Sequence, residues 1–462
     1  MNKMQAAKHE HWSSGFTFLL AAVGSAVGLG NIWRFPYVVA ENGGGAFVLI
    51  YLAIVVVFGI PLLMSELMIG RKSQKPPLDA MRSFKVSKAQ RLWDAVGWSY
   101  LLVPMGILTF YSVVAGWTLD YAIGMGIGTF NDLKEGESAQ IFADLQASPA
   151  KLIFWMTLSV GITVGIVARG LKSGLEQTVK ILMPALFAIL VILVLYASIT
   201  GDFVRSFSFM FTPDFSKITP ELVLMAAGQA FFSLSLGSGA IMVYGSYLTK
   251  DISIPKMAVG VAFADTFVAL LAGFAIFPIV FAFGVDHAAG PGLVFVTLPI
   301  VFNDMGGIGQ VFGLLFFLLL AFAAVTSTIS LLEPMVAQLS ESGKIKRPRA
   351  AIYAGAAFWF VGIFVALSNN ILAEVYPLGF IPLFAGMNIE GLINFLAANV
   401  FMVLNGMLVA IFVGWAVKRS VTLEEMGLGD SVIFKIWFAL VRFVVPVGVS
   451  LIFLDVAFGI FQ

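Results

Sequence analysis

The sequence contains no cysteine and only three histidines. Without cysteine the chain can form no disulfide, thiolate nucleophile or cysteine-based metal site. His9 and His11 precede the first apolar run and His287 lies in a later loop, so a histidine-rich metal centre or a Ser-His-Asp triad has little material inside the apolar segments. The GxxxxGKS/T and HExxH patterns are also missing, which argues against ATP-driven transport within this chain and against zinc peptidase chemistry.

Charged residues are scarce as well. Of the 462 residues, 11% are charged and 60% are hydrophobic, and the mean hydropathy is +0.96, whereas about a quarter of the residues of a soluble domain are charged. The formal net charge of +1 gives no reason to expect a nucleic-acid partner. The composition therefore predicts an all-α integral membrane protein whose surroundings are the lipid bilayer.

Apolar runs bounded by charge, proline or glycine predict eleven membrane-spanning helices, since about 20 apolar residues are needed to cross a bilayer. Their expected limits are 14–41, 45–70, 91–125, 152–168, 175–199, 221–248, 256–284, 309–340, 350–368, 391–417 and 434–460. The first run is longer than the apolar part of a signal peptide and contains Asn31 and Arg34, so we interpret it as a retained helix. One membrane domain over residues 1–462 is the simplest interpretation.

Lysine and arginine are concentrated in alternate loops. Seven of them lie between residues 71 and 91, and another group lies at 344–349. Because basic loops are retained on the cytoplasmic side, this pattern predicts a multi-pass protein of the plasma membrane. The N-terminus is expected to be cytoplasmic and the C-terminus extracellular or periplasmic.

The first and sixth predicted spans are interrupted by small residues. The interruptions are GSAVGLGN at 24–31 and SLSLGSG at 233–239. Corresponding breaks five spans apart predict two inverted five-helix repeats, at about 12–200 and 220–418, with an additional helix at about 434–460 and a binding site between the repeats. Close helix packing through Gly24 and Gly28, which are spaced as GxxxG, is the alternative explanation.

Polar residues near these breaks favour a ligand site. An unwound helix offers free N–H groups to a carboxylate and free carbonyls to sodium. Asp265 lies in an apolar part of span seven without a basic neighbour in sequence, so a bound cation would be a natural counterion. A protonated or hydrogen-bonded structural aspartate is the alternative. Structural roles are expected for Glu66 and Glu333.

These residues resemble the neurotransmitter:sodium symporter family, in particular its bacterial amino-acid transporters. The resemblance extends over essentially the whole chain and is strongest in HWSSGFTFLLAAVGSAVGLGNIWRFPYVVAENGGGAF at 11–47 and GQAFFSLSLGSGAIMVYGSY at 228–247. It implies a symporter rather than an enzyme, which carries a small amino acid by alternating access, with no organic cofactor and no obligate protein partner. Many members have twelve helices, and some bacterial members have the eleven expected here.

The resemblance also implies two sodium sites and a substrate pocket. The first sodium would be bound by Ala26, Asn31, Ser233 and Asp265. The second would be bound by the carbonyls of Gly24, Val27 and Ala323 and the hydroxyls of Thr326 and Ser327. The substrate would contact Ala26, Gly28, Leu29, Gly30, Ile107, Tyr111, Phe232, Ser233, Ser235, Ser238, Ser327, Ser330 and Leu331.

Three positions refine this expectation. Gly28 stands where amine-transporting relatives have an aspartate, so it leaves room for a substrate carboxylate. Ser238 replaces a phenylalanine of some leucine-binding relatives and favours a larger or more polar pocket, so we expect a hydrophobic or aromatic amino acid. Asp265 replaces an asparagine of relatives and could supply the charge that others obtain from an anion, so chloride-independent transport is expected.

Two gates follow from the same resemblance. The outer gate would use Arg34 and Gln229 with an acid at the start of helix 10. The matching position is either Glu390 or Asn394, and in the second case no ion pair forms. The inner gate would consist of Lys8, His9, Trp12, Ser246, Tyr247 and Glu341. A membrane sensor that binds an amino acid without moving it is a competing interpretation, and an intramembrane enzyme lacks a convincing acid–base pair.

Overall fold

The described part of the computed structural model, residues 10–86, 89–134, 136–284, 292–341 and 345–458, is helical and contains no strand. Lys8, His9 and His287 lie outside these residues. The long helices are α1 in two halves (Gly15–Ala26 and Gly30–Glu41), α2 (Gly45–Ser73), α3 (Gln90–Ile127), α4 (Pro149–Val167), α5 (Leu171–Thr200), α6 in two halves (Pro220–Ser233 and Ala240–Ser246), α7 (Ile254–Ala282), α8 (Gly307–Glu341), α9 (Arg347–Leu367), α10 (Ile389–Ala416) and α11 (432–458).

Local sequence fixes many of the helix ends. The hydroxyls of Ser14, Ser148 and Thr219 each accept a hydrogen bond from a backbone N–H in the first turn of α1, α4 and α6. Proline follows the cap at the starts of α4 and α6, where its fixed φ suits a helix and its missing N–H costs nothing. These signals are readable in the sequence, and each predicted helix limit that falls in the described residues lies within four residues of the observed one; the predicted limit at 460 lies outside them.

Two of the helices are broken, and they are the two that the sequence predicts. Nine of the described helices are long and apolar enough to cross a membrane, and the halves of α1 form a tenth span bent by 52°. The halves of α6 have 14 and 7 residues and are separated by residues 234–239. Counted as one broken span, they complete the expected eleven.

The helices pack in two groups of four. In one group α2 contacts both halves of α6, and α7 contacts α1 and α2; in the other, α3, α4, α8 and α9 contact one another. Helix α5 packs on α1, α7 and α8, and α10 packs on α6, α2 and α3, which are the same contacts with each number shifted by five. This repetition is the packing signature of two five-helix repeats, and α11 is added against α10.

A short helix, Leu293–Asp304, lies between α7 and α8. It is connected to α3 by a hydrogen bond of 2.9 Å from the Tyr121 hydroxyl to the Phe295 carbonyl. The Phe295 ring also lies edge-on to Trp33 of α1, with 5.8 Å between ring centroids. The helix therefore covers the end of the bundle that carries the second half of α1.

Candidate functional site

The break in α1 is stabilised by side chains that replace helical hydrogen bonds. The Gly28 N–H donates to Asn31 Oδ1 at 3.2 Å, and the Leu29 N–H donates to the Tyr111 hydroxyl at 3.0 Å. In an unbroken helix these two N–H groups would donate hydrogen bonds to the carbonyls of Gly24 and Ser25. The break thus releases the Gly24 carbonyl, while the Ser25 carbonyl accepts the Ser235 hydroxyl of α6 at 3.0 Å.

The break in α6 is held open by a buried acid and a buried amide. The chain has positive φ at Ser235 (54°) and Gly237 (75°). The Gly237 N–H donates to Glu66 Oε1 of α2 at 2.7 Å, and its carbonyl accepts Asn405 Nδ2 of α10 at 2.8 Å. Because both backbone groups of Gly237 have partners, the unwound segment persists inside an apolar bundle where unpaired groups would be costly.

Asp265 of α7 lies at the centre of a buried polar cluster between the two breaks. Asn31 Nδ2 donates to Asp265 Oδ1 at 2.8 Å and to the Asp265 carbonyl at 3.0 Å, and the Ser233 hydroxyl donates to Asp265 Oδ2 at 2.7 Å. The Tyr51 hydroxyl donates to Oδ2 at 3.4 Å. Asp265 is fully buried, and among the described residues it belongs to no ion pair. The structure therefore joins three of the four residues expected at the first sodium site.

The residues expected at the second sodium site lie where α1 faces α8. A Cβ atom added at Gly24 would lie 3.3 Å from Thr326 Cβ, which places the released Gly24 carbonyl region against α8. The Thr326 hydroxyl donates to carbonyls of its own helix, 3.0 Å away at Ala323 and 3.1 Å away at Phe322. Its lone pairs remain available to a cation, as do those of the Ser327 hydroxyl.

The two sites are built almost entirely from neutral oxygens. Among the described residues no group of three or more His, Asp or Glu side chains is placed to hold a metal. A site of hydroxyls, carbonyls and one carboxylate suits a hard monovalent cation far better than a transition metal.

A cavity lies between the two breaks and is lined by ten of the expected substrate residues: Ala26, Gly28, Gly30, Ile107, Tyr111, Phe232, Ser235, Ser238, Ser327 and Leu331. The other three expected residues adjoin it. Leu29 borders the outer vestibule, Ser233 belongs to the Asp265 cluster, and Ser330 donates to the Ser327 carbonyl at 2.8 Å.

Sequence reasoning missed two wall residues, Ser25 and Met402. The position of Ser25 in the α1 break could have revealed it. Met402 of α10 had no local signal, because an isolated methionine in an apolar helix is usually a packing residue.

A vestibule of about 230 Å³ adjoins the cavity, and Tyr111, Phe232 and Met402 line both spaces. We refer to this end of the bundle as the Arg34 face. The Arg34 guanidinium lies over the Phe232 ring, 5.2 Å from its centroid. The side chains of Phe232 and Tyr111 thus separate the cavity from the vestibule.

Both candidates for the outer gate acid line this vestibule together with Arg34: Glu390 and Asn394 are one helical turn apart on α10. Glu390 accepts Asn369 Nδ2 at 2.7 Å, and no described carboxylate lies within 4.0 Å of Arg34. Gln229 does not line the vestibule. It is buried and donates from Nε2 to the Gly30 carbonyl at 2.8 Å, so it connects the breaks of α1 and α6.

The opposite end of the bundle, here called the Trp12 face, is closed. Trp12 donates from Nε1 to the Tyr244 carbonyl at 3.0 Å and from its backbone N–H to the Tyr247 carbonyl at 3.2 Å. The Tyr247 hydroxyl donates to Glu333 at 2.6 Å, and Glu333 pairs with Arg347 at 2.5 Å. This connects the segment before α1 to α6, α8 and α9.

Ser246 and Glu341, two other residues expected at the inner gate, do not take part in the contacts just described. The Ser246 hydroxyl donates to the Val243 carbonyl at 2.7 Å, and Glu341 is the last residue of α8. Lys8 and His9 lie outside the described residues. Sequence reasoning expected a structural role for Glu333 but did not identify its partner, and the structure pairs it with Arg347 at the Trp12 face.

The family model described as the sodium:neurotransmitter symporter family matches residues 9–126 and 137–462. The chain belongs to this family. An uncharacterized sodium-dependent transporter of Bacillus subtilis (strain 168) is 35% identical over 455 residues, covering 98% of each chain. A human sodium-dependent neutral amino acid transporter is 28% identical over 306 residues, covering 60% of this chain and 41% of the relative.

Among solved structures, the crystal structure of MhsT in complex with L-phenylalanine matches with a TM-score of 0.89 and 41% identity, covering 97% of this chain and 100% of the other. These similarities confirm the predicted family, fold class and multi-pass membrane character. The protein is a sodium-dependent symporter of this family and not an enzyme.

Proposed function

We propose that this symporter imports a hydrophobic or aromatic amino acid together with two sodium ions, by alternating access across the plasma membrane. The observation that carries the proposal is the cavity between two broken helices, with the buried carboxylate of Asp265 beside it. The neutral amino acid named for the human relative and the phenylalanine named for MhsT support this class of substrate.

The carboxylate of the substrate is assigned to the space beside Gly28. A Cβ atom at Gly28 would lie 2.6 Å from the Tyr111 hydroxyl, so this space is free only because residue 28 has no side chain. The Leu29 N–H, which donates to that hydroxyl in the structure, would donate to the carboxylate instead. The tyrosine hydroxyl then becomes a second donor to the same group.

The first sodium is assigned to Ala26, Asn31, Ser233 and Asp265, with the substrate carboxylate. Asn31 Oδ1, which accepts the Gly28 N–H in the structure, has a second lone pair and is the amide atom that would bind the ion. Because Asp265 is buried and has no ion-pair partner in the described part of the chain, its carboxylate supplies the negative charge that balances sodium, and we propose that transport needs no chloride.

The second sodium is assigned to the carbonyls of Gly24, Val27 and Ala323 and the hydroxyls of Thr326 and Ser327. The Gly24 carbonyl has lost its helical N–H partner to the α1 break, and α8 lies directly against Gly24. A cation here binds α1 to α8, that is, one four-helix group to the other. Its release would loosen that contact.

The two closures define the alternating states. We propose that the Trp12 face is cytoplasmic and that its contacts with Tyr247 break when substrate leaves to the inside. The outer gate is formed by Arg34 with Phe232 and Tyr111, and its acid is Glu390, which faces the same vestibule. Each sodium ion that enters down 100 mV supplies about 2.3 kcal/mol, so two ions support steep accumulation of a zwitterion.

Purified protein reconstituted into vesicles tests the proposal. An imposed sodium gradient should drive accumulation of radiolabelled phenylalanine, replacement of sodium by choline should abolish it, and replacement of chloride by gluconate should not. A fitted sodium dependence of one ion per substrate would contradict the two-site assignment. Sodium-dependent binding without accumulation would favour a sensor instead.

A further inference from the structure

Six serines surround the substrate cavity, and only one of them has a hydroxyl without a partner among the described residues. Ser233 donates to Asp265 at 2.7 Å, Ser235 to the Ser25 carbonyl at 3.0 Å, Ser238 to the Ser235 carbonyl at 2.7 Å and Ser330 to the Ser327 carbonyl at 2.8 Å, and Ser327 shares a hydrogen bond with Tyr111. The Ser25 Oγ atom is buried and makes no hydrogen bond. It therefore has both a donor and two acceptor positions free.

Ser25 lies at the wall of the cavity and is only 3% exposed. A buried hydroxyl that has lost its hydrogen bonds to water and gained none from the protein carries a desolvation cost. A ligand that forms a hydrogen bond with this hydroxyl removes that cost. The walls of the cavity also include the apolar side chains of Ile107, Phe232, Leu331 and Met402. Among the described residues, the cavity thus combines an apolar surface with one buried hydroxyl that makes no hydrogen bond.

We propose that Ser25 selects, among the aromatic amino acids, those whose side chain carries one polar atom, the phenol of tyrosine or the indole N–H of tryptophan. The inference rests on the proposed function, since it assigns the substrate side chain to this cavity. A plain benzene ring would contact the apolar walls and leave the Ser25 hydroxyl unpaired. A phenol or an indole would contact the same walls and also pair with that hydroxyl.

The experiment compares the competition of tyrosine, tryptophan and phenylalanine for sodium-dependent binding to the purified full-length chain. Tyrosine or tryptophan should bind about tenfold more tightly than phenylalanine, which is the typical effect of one hydrogen bond in a desolvated site. In Ser25→Ala this preference should fall by about three- to tenfold. Ser65→Ala is the matched control, because this buried serine of α2 lies outside the cavity lining and its hydroxyl donates to the Pro61 carbonyl at 2.8 Å, and the preference should persist in it.

A second measurement needs no variant. On the wild-type chain, an analogue of tryptophan with sulfur in place of the indole N–H should lose affinity by about the same factor, because its shape is kept and its donor is removed. A preference that is unchanged in Ser25→Ala, or an analogue that binds as well as tryptophan, overturns the role of Ser25. Absence of sodium-dependent binding of all three amino acids would also overturn the role of Ser25, and absence of leucine binding as well would overturn the proposed function.

Discussion

The substitution Gly28→Ala is the most direct test of the proposed carboxylate position. The added methyl group would lie 2.6 Å from the Tyr111 hydroxyl and even closer to Ser327 Oγ. Both distances are far below ordinary contact, and both side chains are buried, so they cannot move aside freely. The methyl group also occupies the space assigned to the substrate carboxylate.

The expected magnitude follows from overpacking. Overpacking a buried position costs about 1–3 kcal/mol, and this cost opposes binding because the methyl group and the substrate carboxylate compete for the same space. It predicts that substrate affinity falls at least about fivefold, since 1.4 kcal/mol corresponds to a factor of about ten.

The assay is sodium-dependent stabilisation of the purified protein by phenylalanine, followed by uptake into vesicles. Gly161→Ala is the matched control, because a Cβ atom on this α4 glycine meets nothing within 4 Å and alanine favours a helix interior. The control should keep affinity and uptake. A Gly28→Ala variant whose affinity stays within about threefold of the wild type would refute the carboxylate position, since that change is below about 1 kcal/mol.

Three further substitutions test other parts of the site. Asp265→Asn should raise the sodium concentration needed for half-maximal binding by at least about tenfold, because the one buried carboxylate of the cluster is lost; an unchanged sodium titration would contradict the first-site assignment. Tyr247→Phe removes the 2.6 Å hydrogen bond to Glu333 and should lower the free energy of unfolding by about 1–3 kcal/mol, measured as a lower melting temperature. Trp12→Ala should speed thiol labelling at Ser246→Cys, a unique cysteine in this chain, and equal labelling rates would argue against closure by Trp12.

Most of the fold could be predicted because its signals are local. Apolar runs bounded by charge, proline or glycine predict the helix limits, and two stretches of small residues predict the breaks. Asp265 could be singled out because burying a carboxylate in an apolar membrane helix has a free-energy cost wherever in the bundle that helix packs. These properties depend on residues close in sequence, so no knowledge of packing was needed.

Other features could not be predicted because they join distant parts of the chain. Glu66 supports the break of α6 through Gly237, and Glu333 pairs with Arg347 behind Tyr247. Gln229 binds the Gly30 carbonyl instead of lining the vestibule. In each case the sequence shows a polar residue in an apolar helix, and only the packing of that helix decides its partner.

The sequence by itself therefore determined the membrane fold and the two broken helices, since hydrophobicity and glycine content act over short distances, whereas the residues expected around the cavity followed from the family resemblance. Only the tertiary structure decided which of those residues have partners. Ser25 and Ser238 look equivalent in the sequence, yet the Ser238 hydroxyl is paired and the Ser25 hydroxyl is not. Hydrogen bonding depends on the position and direction of atoms from helices far apart in the chain, and these are fixed only when the bundle is assembled.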